Sequence, residues 1–229
     1  MKAIILAGGR ATRLPTSAEN RPKALVEIWG KPVLEHQIEL LHSHGISDIR
    51  LSLGHKAEQI IQFIRQKFPD VEYVVEEKPL GTGGALKFAL GDHTEPFLVL
   101  SGDILTDCSL TNFLQKAQVH TMVLVEVTNA RDFGLASVDD DGTILEFKEK
   151  PEIATPGLIN TTIYYLDPAP IKNFPGNTFS LELDIFPKLA KEKMLKAYIH
   201  RGFWTDMGTE ERLKTLQSNP PQFFQQHPK

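Results

Sequence analysis

The sequence predicts an α/β protein, with a mixed, mostly parallel central sheet flanked by helices and a β-rich second half. Three observations carry this prediction. Short apolar runs alternate with amphipathic stretches through the first half, several of those runs end directly on glycine or aspartate, and from about residue 119 strand-like segments follow one another with few helices between them.

Lys2 to Ala7 reads as a buried strand. Residues 32–43 (PVLEHQIELLHS) set Val33, Leu34, Ile38 and Leu41 on one helical face, with proline near the first turn and Gly45 as the stop. A strand over 48–53, a helix over 56–67 and a strand over 71–75 continue the rhythm. Residues 82–90 form the third helix candidate, and 96–101 (PFLVLS) form a strand that runs into Gly102-Asp103. Further strands are predicted over 121–127, 135–138, 143–147 and 158–166, with DDDG at 139–142 as a hairpin turn. A helix over 181–192, a strand over 195–200 and a helix over 209–217 follow. The expected organisation is a single domain over 1–216, divided near residue 118, and a Pro/Gln-rich tail over 217–229.

Composition narrows the function. The net charge is −4, so no global basic surface invites nucleic acid or an anionic membrane, and any anion site is local. The single cysteine, Cys108, excludes an internal disulfide and a cysteine-based zinc site and fits a reducing compartment. The apolar run after Met1-Lys2 stops at Gly8-Gly9, too short for an export signal, and nothing approaches the roughly 18 apolar residues of a membrane span. A cytoplasmic protein with neither nucleic-acid nor membrane partner is expected.

Five stretches carry chemistry. In LAGGRATRLPTSAENRPKAL, Gly8 and Gly9 follow the first strand, where backbone N–H groups can approach phosphates, and Arg10, Arg13 and Lys23 add positive charge; both G-x-G-x-x-G and the P-loop pattern are absent. In EEKPLGTGGALKFAL, Pro79, Gly81, Gly83 and Gly84 make a tight turn into a helix N-terminus, which offers free donors. Asp103 in SGD stands past the end of a strand, where a carboxylate can hold Mg²⁺ against phosphates, although aspartate is also common in turns. Glu149-Lys150 in FKEKP and Asp206 in FWTDMGTEERL complete the set. Taken singly, Lys150 reads as a solvated lysine and Asp206 as a residue near a helix cap.

In this order and spacing the stretches resemble the sugar-1-phosphate nucleotidyltransferases. LAGGRATRLP…RPKAL is similar to that family's LAGG-x-G-T-R-L…P-K-x-L, PLGTGGAL to its PLGTAGAL-like loop, SGD to its N-G-D, KEKP to its E-E-K-P, LINTTIYYLD to its N-A-G-I-Y strand, FSLELDIFP to its S-L-E-x-D-x-F-P and WTDMGT to its W-x-D-x-G-T. The resemblance covers residues 1 to about 216 and implies a Rossmann-like nucleotidyltransferase fold, with a nucleotide-binding half over 1–118 and a sugar-phosphate-binding half over 119–216.

It further implies that Leu6, Ala7, Gly8, Gly9, Arg10, Arg13, Lys23, Gly81, Thr82, Gly83 and Gly102 serve the nucleotide, with Gly84 beside them. Gly134, Glu149, Lys150, Asn160 and Glu182 would serve the sugar phosphate, and Asp103 and Asp206 would hold Mg²⁺ as the cofactor. Arg13, Lys23 and Asp103 would carry the catalysis. The partners implied are a nucleoside triphosphate and a sugar 1-phosphate, with a homodimer left open. Three departures stand out: Ala11 at the usual third glycine, Ser101 at the usual asparagine, and Thr161-Thr162 at the usual Ala-Gly, the last narrowing or polarising the sugar pocket. Without the β-helix that some relatives carry, a bifunctional acetyltransferase is not expected.

PLGTGGAL and FSLELDIFP look most like guanylyltransferases for mannose 1-phosphate or D-glycero-D-manno-heptose 1-phosphate. WTDMGTEERL looks equally like a uridylyltransferase for N-acetylmuramate 1-phosphate. A reading of another class, a non-catalytic paralogue that senses nucleotide-sugar, is disfavoured by the retained Arg13, Asp103, Lys150 and Asp206.

Overall fold

The structure, a computed structural model, describes residues 1–9 and 21–218. Strand β1 (Lys2–Leu6) is followed, within the described residues, by a 3₁₀ turn (Lys23–Leu25), the short hairpin β2 (Glu27–Ile28) and β3 (Lys31–Pro32), and helix α1 (Val33–Ser43). Then come β4 (Asp48–Leu53), α2 (Ala57–Lys67), β5 (Glu72–Val75), α3 (Gly81–Leu90), β6 (Phe97–Ser101), β7 (Ile104–Thr106) and α4 (Leu110–Lys116). The second half contains β8 (Thr121–Val127), β9 (Gly134–Val138), β10 (Ile144–Glu149), β11 (Gly157–Leu166) and α5 (Ala169–Lys172). It ends with a π-helical turn (Leu181–Ile185), α6 (Phe186–Lys191), β12 (Lys196–Ile199), β13 (Trp204–Asp206) and α7 (Glu210–Ser218).

Strands β6, β1, β4 and β5 lie side by side and parallel, and β11 joins the far side of β6 in antiparallel fashion. Because β11 is ten residues long, it also pairs with β8 and β9, and so carries the sheet from the first half into the second. Between Asn160 and Tyr164 the register breaks: four steps along β11 face two along β8, and Thr162 takes φ +62°. A β-branched residue in the left-handed region is strained, so this bulge is imposed by its surroundings.

The sheet is buried on both faces, as an α/β layer requires. Along β1, Ala3 and Ile5 face the cluster built by α1, α2 and α4, while Ile4 faces the cluster built by α3 and α6. All four helical positions expected on the core face of α1 are fully buried, each contributing about 1.5–3 kcal/mol of hydrophobic stabilisation. A smaller cluster joins α7 to the β2–β3 hairpin through Leu213, Leu216, Ile28 and Val26, and the Trp29 indole donates to the Leu216 carbonyl at 2.7 Å.

The helix expected over 181–192 divides in two. Pro187 has no N–H to return to the preceding turn, and Phe186 instead donates to the Leu181 carbonyl five residues back, which widens the first turn to a π turn. Several short elements lie outside the sequence expectations: β7, β13, α4, α5 and the β2–β3 hairpin.

Candidate active site

At the C-terminal ends of β1, β4, β5 and β6 opens a cavity of about 620 Å³, the position where open α/β sheets bind ligands. Its floor is Leu6, Gly8 and Gly9 after β1; its walls include Gly54 and His55 after β4, Glu76 to Pro79 after β5, and Gly81, Thr82 and Ala85 at the start of α3. Ser101, Thr162, Tyr164 and Glu182 close the other side.

The glycines have distinct reasons. A Cβ on Gly8 would lie 3.2 Å from the Glu76 carboxylate, and one on Gly54 would lie 2.8 Å from the same oxygen, so this pair lets Glu76 fold against the β1 and β4 ends. Gly9 has nothing within 4 Å of such a Cβ and opens onto the cavity. Gly83 and Gly84 turn away from it. Their absent side chains make room for the Phe179 ring and the Asn177 carbonyl, at 2.3 and 2.1 Å from the built Cβ positions. Gly81 has φ +73° and also meets the Phe179 backbone, yet lies on the cavity wall. Gly102 packs on Leu6 and Ala7, and its N–H donates to the Leu6 carbonyl at 2.7 Å.

Glu76 was not singled out by the sequence, although it opens the quoted EEKPLGTGG stretch at the end of a parallel strand. Burial pushes its carboxyl above the ordinary range, against the lowering effect of the Leu80 N–H. Its side chain lines the cavity wall.

Ser101 joins the cavity to a charged cluster. Its hydroxyl donates to Asp103 Oδ1 at 2.6 Å, and the Lys23 ammonium bonds Oδ2. Burial raises the Asp103 carboxyl, but the adjacent Lys23 charge and the hydrogen bonds from Lys23 and Ser101 outweigh it and hold the group below the usual carboxylate range. The turn is fixed from behind by buried Gln37, whose amide donates to the Ser101 and Ile104 carbonyls at 2.5 and 2.9 Å. Antiparallel pairing of β7 with β13 sets Asp206 opposite Ile104, and the Met207 N–H donates to the Asp103 carbonyl at 2.9 Å. The backbone of Asp103, in the turn between β6 and β7, thus lies beside the end of β13, where the Asp206 carboxylate is held by Arg212 at 2.8 Å.

Among the described residues no three acidic, histidine or cysteine side chains form a metal cluster. Two carboxylates, Asp103 in the β6–β7 turn and Asp206 at the end of the paired β13, have the hard oxygen chemistry of a divalent cation that completes its shell with phosphate oxygens and water, which is compatible with the Mg²⁺ expected from the sequence.

In the second half, outside the cavity lining, Gly134 pairs with Glu149 across β9 and β10, and a Cβ at Gly134 would lie 2.3 Å from the Phe147 ring and 3.0 Å from Glu149 Oε2. Lys150 has φ +47°, is half exposed and lies 3.3 Å from Glu149 Oε1. Burial raises the Glu149 carboxyl; Lys150 opposes this and Glu182 adds to it. Glu182 accepts from Thr82 Oγ1 at 2.5 Å and Ser180 Oγ at 2.7 Å, which ties the π turn to the start of α3. Asn160 is buried and acts at one remove: its amide donates to the Tyr164 hydroxyl at 2.8 Å and its oxygen accepts from Thr162 N–H, and both Tyr164 and Thr162 line the cavity.

The structure thus gathers Leu6, Gly8, Gly9, Gly81, Thr82 and Glu182 around the cavity, and Lys23, Asp103 and Asp206 beside it. Ala7, Gly83, Gly102 and Asn160 pack behind the lining. Arg10, Ala11 and Arg13 lie outside the described residues.

A family model described as nucleotidyl transferase matches residues 2–220. The chain belongs to that family. It is 34% identical over 220 residues to the mannose-1-phosphate guanylyltransferase catalytic subunit beta of Danio rerio, covering 91% of this chain and 61% of that one. It is 36% identical over 215 residues to the bifunctional protein GlmU of Methanococcus maripaludis, covering 91% and 51%. This nucleotidyl transferase chain thus spans between half and two thirds of the length of these curated relatives. Among solved structures, HddC from Yersinia pseudotuberculosis complexed with GMP-PN matches it with a TM-score of 0.82 at 32% identity, over 95% of this chain and 98% of that one. Fold class and family thereby agree with what the sequence motifs imply.

Proposed function

We propose that this chain is a Mg²⁺-dependent guanylyltransferase that joins GTP to a manno-configured sugar 1-phosphate, mannose 1-phosphate or D-glycero-D-manno-heptose 1-phosphate, giving the GDP-sugar and pyrophosphate. The observation that carries the reading is the Lys23–Asp103 pair next to the strand-end cavity, with Asp206 brought near by the pairing of β13 with β7. A phosphate oxygen of the sugar 1-phosphate forms the new bond to the α-phosphorus of GTP as the bond from that phosphorus to the β-phosphate oxygen breaks. Pyrophosphate carries away the electron pair, and no protein nucleophile is needed.

The chain's own contribution is positioning and charge. Lys23 neutralises the reacting α-phosphate once it leaves Asp103, Gly9 leaves the backbone open to the nucleotide, and Lys150 faces the sugar phosphate while Glu149 and Glu182 accept from sugar hydroxyls. Asp103 and Asp206 would hold Mg²⁺, which would supply charge neutralisation to the phosphoryl oxygens. Guanine is favoured because its N1–H and N2–H₂ donors lie side by side and match a carboxylate such as Glu76. Uracil instead flanks one N–H with two carbonyl oxygens. The guanine nucleotide named with HddC and the guanylyltransferase named from Danio rerio support the same choice.

The test is pyrophosphate release with Mg²⁺, crossing GTP, UTP, dTTP, CTP and ATP against mannose, heptose, glucose and N-acetylmuramate 1-phosphates. Turnover with GTP and a manno-configured partner is expected. Turnover only with UTP and N-acetylmuramate 1-phosphate would replace the substrate assignment, and nucleotide binding without turnover on any pair would favour a sensing paralogue.

A further inference from the structure

We infer that Arg212 is a positioning residue that sets the carboxylate of Asp206 and couples it to the sugar-facing segment at Asp132 and Phe133. The inference rests on the reading of Asp206 as a metal ligand.

Arg212 stands in the first turn of α7, where helical side chains lean back toward the N-terminus. Its Nη1 donates to Asp206 Oδ1 at 2.8 Å and its Nη2 to Asp132 Oδ2 at 3.0 Å. The guanidinium carbon also lies 4.5 Å from the Phe133 ring centroid. Phe133 in turn meets Trp204, two residues before Asp206, edge-on at 5.6 Å, and its carbonyl accepts the Lys150 N–H at 3.0 Å. One planar fork therefore touches the strand bearing a candidate metal ligand and the loop whose backbone holds a candidate sugar-phosphate lysine.

A Cβ on Gly208 would lie 2.6 Å from Asp206 Oδ2 and 3.0 Å from Arg212 Nη1, so glycine is what lets carboxylate and guanidinium meet. The guanidinium restrains the carboxyl through Oδ1, the way outer partners orient metal-binding carboxylates. Lysine carries the same charge but has no fork with which to span Asp206 and Asp132 and stack on Phe133. Partly exposed ion pairs add little to stability, so a geometric role and a merely structural one separate cleanly.

The experiment titrates Mn²⁺ into the full chain, reading free Mn²⁺ by electron paramagnetic resonance, for the wild type and for Arg212→Lys, Asp132→Asn and Asp206→Asn. It adds KM values at saturating Mg²⁺ and melting temperatures. Arg212→Lys is expected to melt within a few degrees of wild type, to bind Mn²⁺ about tenfold or more weakly, and to raise the sugar 1-phosphate KM while leaving the GTP KM in place. Asp132→Asn is expected to shift both readouts in the same direction by less. Wild-type Mn²⁺ affinity in Arg212→Lys overturns the positioning role alone, as does lowered melting with unaltered affinity. Undiminished Mn²⁺ binding by Asp206→Asn overturns the metal assignment on which the role depends.

Discussion

The Ser101 hydroxyl donates to one oxygen of Asp103 at 2.6 Å while Lys23 bonds the other. Each oxygen of the carboxylate thus accepts one hydrogen bond that orients it, leaving further lone pairs free, and Ser101 stands where the family motif carries asparagine. Ser101→Ala removes one setting bond without touching the packing of β6 on β1. The expected result is a fall in kcat of about tenfold, the low end of what losing a partner of a metal-binding carboxylate costs, with stability lowered by about 1 kcal/mol. Steady-state kinetics together with urea melts check it; unchanged kcat would show that Lys23 alone orients Asp103.

Gly84 in α3 and Gly9 after β1 separate by function. Gly84→Ala drives a methyl into the Asn177 carbonyl, 2.1 Å from the built Cβ, and backbone cannot move aside as a flexible side chain can. A loss of about 1–3 kcal/mol is expected from overpacking, although alanine is otherwise the better helix former. Gly9→Ala meets nothing within 4 Å, so its stability should stay within about 0.5 kcal/mol of wild type while the GTP KM rises. Chemical denaturation of both variants distinguishes the structural glycine from the cavity glycine, and equal destabilisation would contradict the assignment.

Legibility from sequence followed the reach of each interaction. Strand β1, helix α1 and strand β4 were readable because burial repeats along the chain at periods of 2 and 3.6, and the parallel order follows from strand-helix-strand alternation. The three-residue strands β7 and β13 were not, since a strand that short has no pattern of its own and exists through its partner about a hundred residues away. Glycines 81, 83 and 84 signalled close approach correctly but not to what: Phe179 and Asn177, not only a ligand, demand the space. Thr162 was visible as a departure from the family motif, whereas its left-handed backbone needed the bulge in β11 to be seen. Arg212 escaped notice because its partners, Asp132 and Asp206, mean nothing until the chain is folded.

Glu149 links stability to pH. Burial first, with Glu182 adding and Lys150 opposing, holds its carboxyl above the ordinary range in the fold. As pH falls, the folded protein takes up this proton before the unfolded chain does. The stabilisation is complete below the ordinary glutamate range and is lost as pH rises through the raised value. At neutral pH the charge is thus a cost to the fold, one that sugar hydroxyls would offset on the proposed reading. Glu149→Gln is expected to melt at a higher temperature than wild type at pH 7, with the difference shrinking toward acid, and to raise the sugar 1-phosphate KM. A variant less stable than wild type at neutral pH would contradict the sign.

Glu76 tests the choice of base. Its carboxylate lies against Gly8 and Gly54 at the cavity wall, and burial raises its pKa. Ionised, it would accept from both guanine donors on the proposed reading; as Glu76→Gln it would offer one donor and one acceptor, which suit an N–H next to a carbonyl. Hydrogen bonds to a charged group are worth about 1.5–3 kcal/mol, so kcat/KM for GTP should fall by roughly ten- to a hundredfold while that for UTP holds or rises. Wild-type activity with GTP should also decline as pH falls through the raised value, because the protonated acid presents a donor where guanine needs an acceptor, and Glu76→Gln should lose that limb of the pH profile. Competition between GTP and UTP at several pH values reads both effects at once. An unchanged GTP preference in the variant would move base selection to the backbone of the cavity wall.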